Sequence, residues 1–145
     1  LLPDYICDVV LHPLDQLGLK HRYYSLDDGL KPRWDGLLDL VDEKTKGIMM
    51  VHYFGQSQDI SAFQSFCKKH KLLLIEDNAH GHGGTLNGQL LGTYGDLGIS
   101  APRKILNTIR GGTLWLRDKE SNHNPDLPSY PVSFIKRFKR NLFNN

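Results

Sequence analysis

Cysteine is scarce in this 145-residue chain: Cys7 and Cys67 stand far apart, and neither belongs to a Cys-x-x-Cys pair. That spacing argues against a disulfide framework, and both residues are expected to be reduced, buried thiols of a cytoplasmic protein. Long apolar runs are missing too. None approaches the ~20 residues that a transmembrane helix needs, and the opening Leu1-Leu2-Pro3-Asp4 lacks the basic start and apolar stretch of a secretory signal. It also lacks an initiator methionine, so the chain is expected to begin partway through a longer one. Eighteen basic against 16 acidic residues leave a formal charge of only +2, too little field to draw the chain onto nucleic acid or an anionic membrane. No internal repeat and no low-complexity tract interrupt it.

What is present reads as α/β, with a three-layer α/β/α arrangement around a mainly parallel sheet. Arg22 to Leu26, Gly47 to Phe54 and Leu72 to Ile75 are short apolar runs separated by segments of helical spacing. Runs that are apolar on both faces suit strands covered by helices, so all three are expected to be central. Ser57 or Asp59 can cap a helix whose apolar face is Ile60, Phe63, Phe66 and Cys67, ending in Lys68, Lys69 and His70. Trp34 to Val41 is expected to cross over between the first two strands. An earlier helix over Val9 to Leu17 is expected to be interrupted or kinked at Pro13 and stopped by Gly18.

Leu97 to Ser100 and Thr113 to Leu116 read as two further strands flanking a turn that contains Lys104. Asn124 to Pro131 holds three prolines and reads as an extended connector. Val132 to Phe143 reads as an amphipathic helix, with Lys136, Arg137, Lys139 and Arg140 largely opposite its apolar side.

The chemistry is carried by Ile75-Glu76-Asp77-Asn78-Ala79-His80, by Ser100-Ala101-Pro102-Arg103-Lys104 and by Gly111-Gly112. Asp77 ends an apolar strand, where ligands collect in doubly wound sheets. It is either a carboxylate for a cationic ring nitrogen or the cap of the glycine-rich turn that follows. Lys104 lies in a turn, where an amine partly buried beside Arg103 becomes a nucleophile, whereas an exposed one is only a surface charge. Together they can hold pyridoxal phosphate at both ends of its ring, by the pyridine nitrogen and by covalent attachment, so that the cofactor serves as an electron sink. Ser100 can donate to the cofactor phosphate, and His80 can reach the ring oxygen or its face. Gly111-Gly112 lets backbone pass close by. His52 and Tyr53 are expected to face one side of the sheet, either lining the pocket or packed in the core. His80 and His82 form a His-x-His pair without a third ligand at a recognisable spacing, which leaves metal-dependent hydrolysis through Asp77, His80 and His82 as a further alternative.

Val51-His52-Tyr53-Phe54-Gly55, the Ile75 to His80 run, Gly92 with Gly95-Asp96, and Ser100 to Lys104 followed by Gly111-Gly112 resemble, in order and spacing, the sugar aminotransferases of the DegT/DnrJ/StrS group. The match runs over roughly residues 1 to 117. The resemblance implies part of the large domain of a fold type I pyridoxal-phosphate transferase that acts as a homodimer. It implies that Lys104 is the Schiff-base lysine, Asp77 the partner of the pyridine nitrogen, His80 the residue beside the ring and Ser100 the phosphate contact. The implied partners are an amino-acid donor, glutamate, and a keto sugar carried on a nucleotide. Relatives that dehydrate sugars have histidine at the lysine position, so Lys104 favours transamination. Two positions depart from the group: Asn78 stands where a small residue is usual, and Arg110 where an acidic one is common. The division that follows is a partial cofactor-binding domain over residues 1–124, with a connector and helix over 125–145 leading towards a missing C-terminal domain. The same features in a chain this short also fit a truncated or non-catalytic domain of that fold.

Overall fold

The computed structural model describes residues 1–107 and 111–117. The proline-rich connector, the amphipathic helix and Arg110 lie outside them. Strand β1 (Leu2–Pro3) pairs in parallel with β2 (Tyr23–Tyr24). Helix α1 (Leu11–Gln16) lies between them, and α2 (Trp34–Leu37) follows. Next come β3 (Gly47–Val51), α3 (Ile60–His70), β4 (Leu73–Asn78), the hairpin of β5 (Thr85–Leu86) and β6 (Gln89–Leu90), then β7 (Leu97–Ser100) and β8 (Thr113–Leu116).

One sheet organises the rest, in the order β3-β4-β7-β8. β3, β4 and β7 run parallel, and β8 returns antiparallel on β7. The in-register partners Val51, Asp77 and Ile99 share one face. Met50, Glu76 and Gly98 share the other. Helix α3 covers the second face with Ile60, Phe63 and Cys67, which pack in one cluster with Ile48, Met50, Leu74, Tyr24 and Leu37. On the first face Met49, Val51 and Tyr53 gather Leu2 and Ile75. The expected α3 forms as read: Asp59 caps it by accepting the Ala62 N–H at 3.0 Å, and Lys71 ends it in a left-handed conformation.

Four expectations are corrected. The Arg22 to Leu26 run is not a central strand, because only Tyr24 of β2 is buried while Tyr23 is 44% exposed, and its sheet has only β1 as partner. The crossover over Trp34 to Val41 is a single α turn continued by a 3-10 turn over Leu38–Leu40, with Leu37 buried and Leu38 exposed. Pro13 produces no break in α1, because it falls in the first turn, where its missing N–H costs no intrahelical bond. Cys7 is exposed rather than buried, whereas Cys67 sits in the core, where burial first and Asp96 second push its thiol up to about 11.

Phe63 meets Tyr24 and Trp34 edge-on, with ring centroids 6.4 and 5.1 Å apart. Truncating it leaves a cavity where the helix joins the sheet. Phe63→Ala is expected to lower unfolding stability by about 3–5 kcal/mol and Asp59→Ala by about 1 kcal/mol, measured as the shift in denaturant midpoint.

Candidate functional site

The carboxyl ends of β3, β4 and β7 lie level along one edge of the sheet, because Val51 pairs with Asp77 and Asn78 with Ser100. β4 runs three residues beyond its apolar stretch, to Asn78, so that Glu76, Asp77 and Asn78 alternate faces while still in the ladder. Each of the three is buried, and each has a different set of partners.

Glu76 is fully buried and accepts four hydrogen bonds. One comes from His52 Nε2 at 2.8 Å and the others from the main-chain N–H groups of Gly92, Tyr94 and Gly95, the last two at 2.8 Å. His52 Nδ1 accepts the Gln58 N–H at 3.2 Å, so its proton sits on Nε2, pointing at the carboxylate. Burial alone would push the Glu76 carboxyl up. The His52 contact and the amides of Gly92 and Gly95 outweigh it and hold the carboxyl below its usual value. The loop so gripped lies tight against β7: a Cβ on Gly98 would stand 1.7 Å from the Gly92 carbonyl oxygen, so no other residue fits there.

Asn78, on the same face, donates from Nδ2 to the Gly81 and Leu91 carbonyls at 2.9 Å each. A Cβ on Gly81 would come within 2.5 Å of its Oδ1. The residue that departs from the group's pattern is thus seated by a glycine three positions on.

Asp77 points to the opposite face, beside Val51. Its Oδ1 accepts the Ala79 N–H at 2.8 Å, and its second oxygen has no partner among the described residues. Tyr53 stands on that side as well. Burial, then the charges of Asp4 and Asp77, push its phenol up, and its hydroxyl donates to the Tyr5 carbonyl at 2.6 Å. His52 and Tyr53 therefore face opposite sides of the sheet, not one side as expected, and both are engaged in the interior.

Lys104 ends a 3-10 turn over Pro102–Lys104, begun directly after β7. Lys104 and Arg103 are both exposed, so the partial burial expected of the lysine is not found within the described residues. Ser100 is buried on the face of Asn78, across from Asp77, and its hydroxyl lies 2.9 Å from His82 Nδ1. His80 is exposed. Its Nδ1 accepts the Phe54 N–H at 3.3 Å, and the two rings stack with centroids 5.9 Å apart. His80 and His82 thus have separate partners, and no group of three or more His, Cys, Asp or Glu able to hold a metal occurs among the described residues. Gly111 has φ 125°, open only to glycine at low cost.

The structure therefore brings Asp77 and Lys104 to adjacent strand ends at one edge, with His80 just past Asp77, and turns Ser100 towards His82. A buried carboxylate with one uncommitted oxygen fits a protonated ring nitrogen, and an exposed amine one strand away fits covalent attachment to the same ring. The sequence reading gave no separate role to Glu76 or Phe54, and pointed to His82 only as a candidate metal ligand. An acid inside an otherwise apolar strand was the available signal for Glu76; for Phe54 there was none, since its left-handed backbone is visible only in the fold.

The family model described as the DegT/DnrJ/EryC1/StrS aminotransferase family matches residues 14–126. The dTDP-4-dehydro-2,3,6-trideoxy-D-glucose 4-aminotransferase of Saccharopolyspora spinosa is 33% identical over 103 residues, which cover 70% of this chain and 27% of that protein. Among solved structures, the aminotransferase TlmJ from Streptoalloteichus hindustanus matches with TM-score 0.73 and 28% identity, covering 81% of this chain and 33% of that one. The E. coli GDP-4-keto-6-deoxy-D-mannose-3-dehydratase with bound hydrated PLP matches with TM-score 0.69 and 26% identity, covering 84% of this chain and 32% of that one. The chain spans about a third of the length of these structures and less of the curated relative.

Because the folded Glu76 carboxyl titrates below its unfolded value near 4.5, its contribution to stability is complete above that pH and is lost as pH falls through the lower folded value. Glu76→Gln is expected to cost about 1.5–3 kcal/mol at pH 7. In urea unfolding from pH 7 down to pH 3, the gap between wild type and variant should narrow.

Proposed function

Since the chain belongs to the DegT/DnrJ/EryC1/StrS aminotransferase family, we propose that it forms the cofactor-holding part of a pyridoxal-phosphate-dependent sugar aminotransferase. The observation that carries this reading is the level register of β4 and β7, which sets Asn78 opposite Ser100, with Asp77 just before that pair and Lys104 in the turn that follows β7. Pyridoxal phosphate, when bound, supplies an electron sink for the bond broken at the α carbon of the amino donor. Asp77 offers its uncommitted oxygen to the ring nitrogen and keeps that nitrogen protonated. Lys104 Nζ would be the point of covalent attachment and the base that moves the α proton. His80 would stand beside the ring, and the Ser100 hydroxyl, which lies on the face away from Asp77 next to His82, would have to accept from His82 to leave its own proton for the phosphate.

The amino donor is glutamate and the acceptor a keto sugar on a nucleotide, as the names of the sugar aminotransferase relatives suggest for the acceptor. The enzyme is a cytoplasmic homodimer. Cys7 and Cys67 are both free thiols, which suits a reducing compartment, and no helix among the described residues is long and apolar enough to cross a membrane. Residues 1–124 contribute the cofactor domain. The second reading, a non-catalytic domain of the same fold, is favoured by the exposure of Lys104 among the described residues.

The readings separate when the intact protein is mixed with pyridoxal phosphate, its visible absorbance followed, and the adduct reduced with borohydride and mapped. Label on Lys104 is expected. Label on another lysine would overturn the assignment, and an unchanged spectrum would favour the non-catalytic reading. Lys104→Ala should abolish trapping and lower turnover by about a thousandfold or more, and Asp77→Asn should lower turnover by about a hundredfold, in a steady-state transamination assay.

A further inference from the structure

Phe54 is a large apolar residue 70% exposed at the carboxyl end of β3, in a left-handed backbone conformation, φ 55° and ψ 24°. For a bulky residue this conformation is an outlier, costly enough to persist only where surrounding structure imposes it. The surroundings are the turn after β4. Gly55 and Gly81 touch so closely that a Cβ on Gly81 would stand 2.8 Å from the Gly55 Cα. This glycine-to-glycine approach presses the two turns together, and it leaves Phe54 above His80 with ring planes 19° apart. The strained backbone also aims the Phe54 N–H at His80 Nδ1, 3.3 Å away. A nitrogen that accepts a main-chain N–H carries no proton of its own, so the neutral ring is held as the Nε2–H tautomer. Nε2 has no partner among the described residues.

We propose that Phe54 is a positioning residue: its N–H fixes the tautomer of His80 and its ring fixes the plane, so that His80 presents Nε2–H as a donor next to Asp77. On the cofactor reading given above, on which this part rests, that donor suits the ring oxygen of pyridoxal phosphate. An oxygen acceptor there would be served by Nε2–H and not by an unprotonated nitrogen. The strained backbone of Phe54 therefore has a use, which its exposure alone does not explain.

Two measurements test this. In the protein labelled with ¹⁵N-histidine, two-bond ¹H–¹⁵N spectra at alkaline pH should show His80 almost wholly as Nε2–H. In Phe54→Pro, which removes the N–H, the Nδ1–H share should rise towards that of histidine in an unstructured peptide measured alongside, whereas in Phe54→Gly, which keeps the N–H and adopts the left-handed backbone without strain, it should stay low. An Nδ1–H share that stays low in Phe54→Pro, or a dominant Nδ1–H form in the wild type, would overturn the proposal. In the second measurement, Phe54→Ala should weaken pyridoxal phosphate binding to the intact protein by about twofold to tenfold, and should add nothing once His80 is replaced by Leu. Equal losses in both backgrounds would mean that Phe54 acts on its own or on the fold, and would overturn the positioning role. Failure of borohydride to label Lys104, with His80 still locked by Phe54, would remove the cofactor assignment and leave the coupling of the two residues intact.

Discussion

One buried carboxylate determines how the functional edge is built. Glu76 lies in the interior of the sheet, where an unpaired charge would be prohibitive. Its four donors come from two separate segments: the His52 ring at the end of β3, and the amides over Gly92 to Gly95 that lead into β7. The same charge thus ties the turn after β3 and the entry to β7 to the middle of β4. Losing any of these donors leaves a buried charge short of partners, so the three segments keep one geometry. Because β7 enters the sheet from that loop, the position of Ser100 and of the turn holding Lys104 depends on a residue that touches neither.

The alternation at the end of β4 separates the residues that hold loops from the one left with an open oxygen. Glu76 and Asn78 point to one face and are used up holding loops, Glu76 through the Gly92 to Gly95 amides and Asn78 through the Gly81 and Leu91 carbonyls. Asp77, between them, points the other way with an oxygen to spare. A one-residue slip of β4 would exchange these duties, sending Asp77 among the amides and Glu76 to the open side. The register is held against that slip by Leu74 and Ile75, which commit to the two opposite apolar clusters.

What could be read in advance follows from where the physics is local. Helix α3 was legible from its cap and from apolar spacing, and β3, β4, β7 and β8 from their apolar runs, because each depends on residues close in sequence. Asp77 was legible as a carboxylate near a strand end and Lys104 as a turn residue, but the partial burial expected of the lysine is not found among the described residues. The Arg22 to Leu26 run misled because apolar content predicts burial and says nothing of a strand's partners. The β5–β6 hairpin was missed although Asn87-Gly88, with φ 50° and 82°, carries the signal for a two-residue turn. The opposite facing of His52 and Tyr53, and the pairing of Ser100 with His82, depend on contacts between distant segments, which no spacing encodes.

Lys104 sets the remaining constraint. Pro102 begins its turn and fixes φ there, so the lysine emerges directly beyond β7 in an exposed position. A lysine nucleophile works when it is taken out of water, and neither Arg103 nor any described neighbour covers this one. On the cofactor reading, that cover comes from outside the described residues. Asp77 is already in place, buried and oriented by the sheet, whereas the amine it would work with still needs to be covered. The half of the proposed site that depends on the sheet is therefore in place among the described residues, and the half that depends on exclusion of water is not supplied by them.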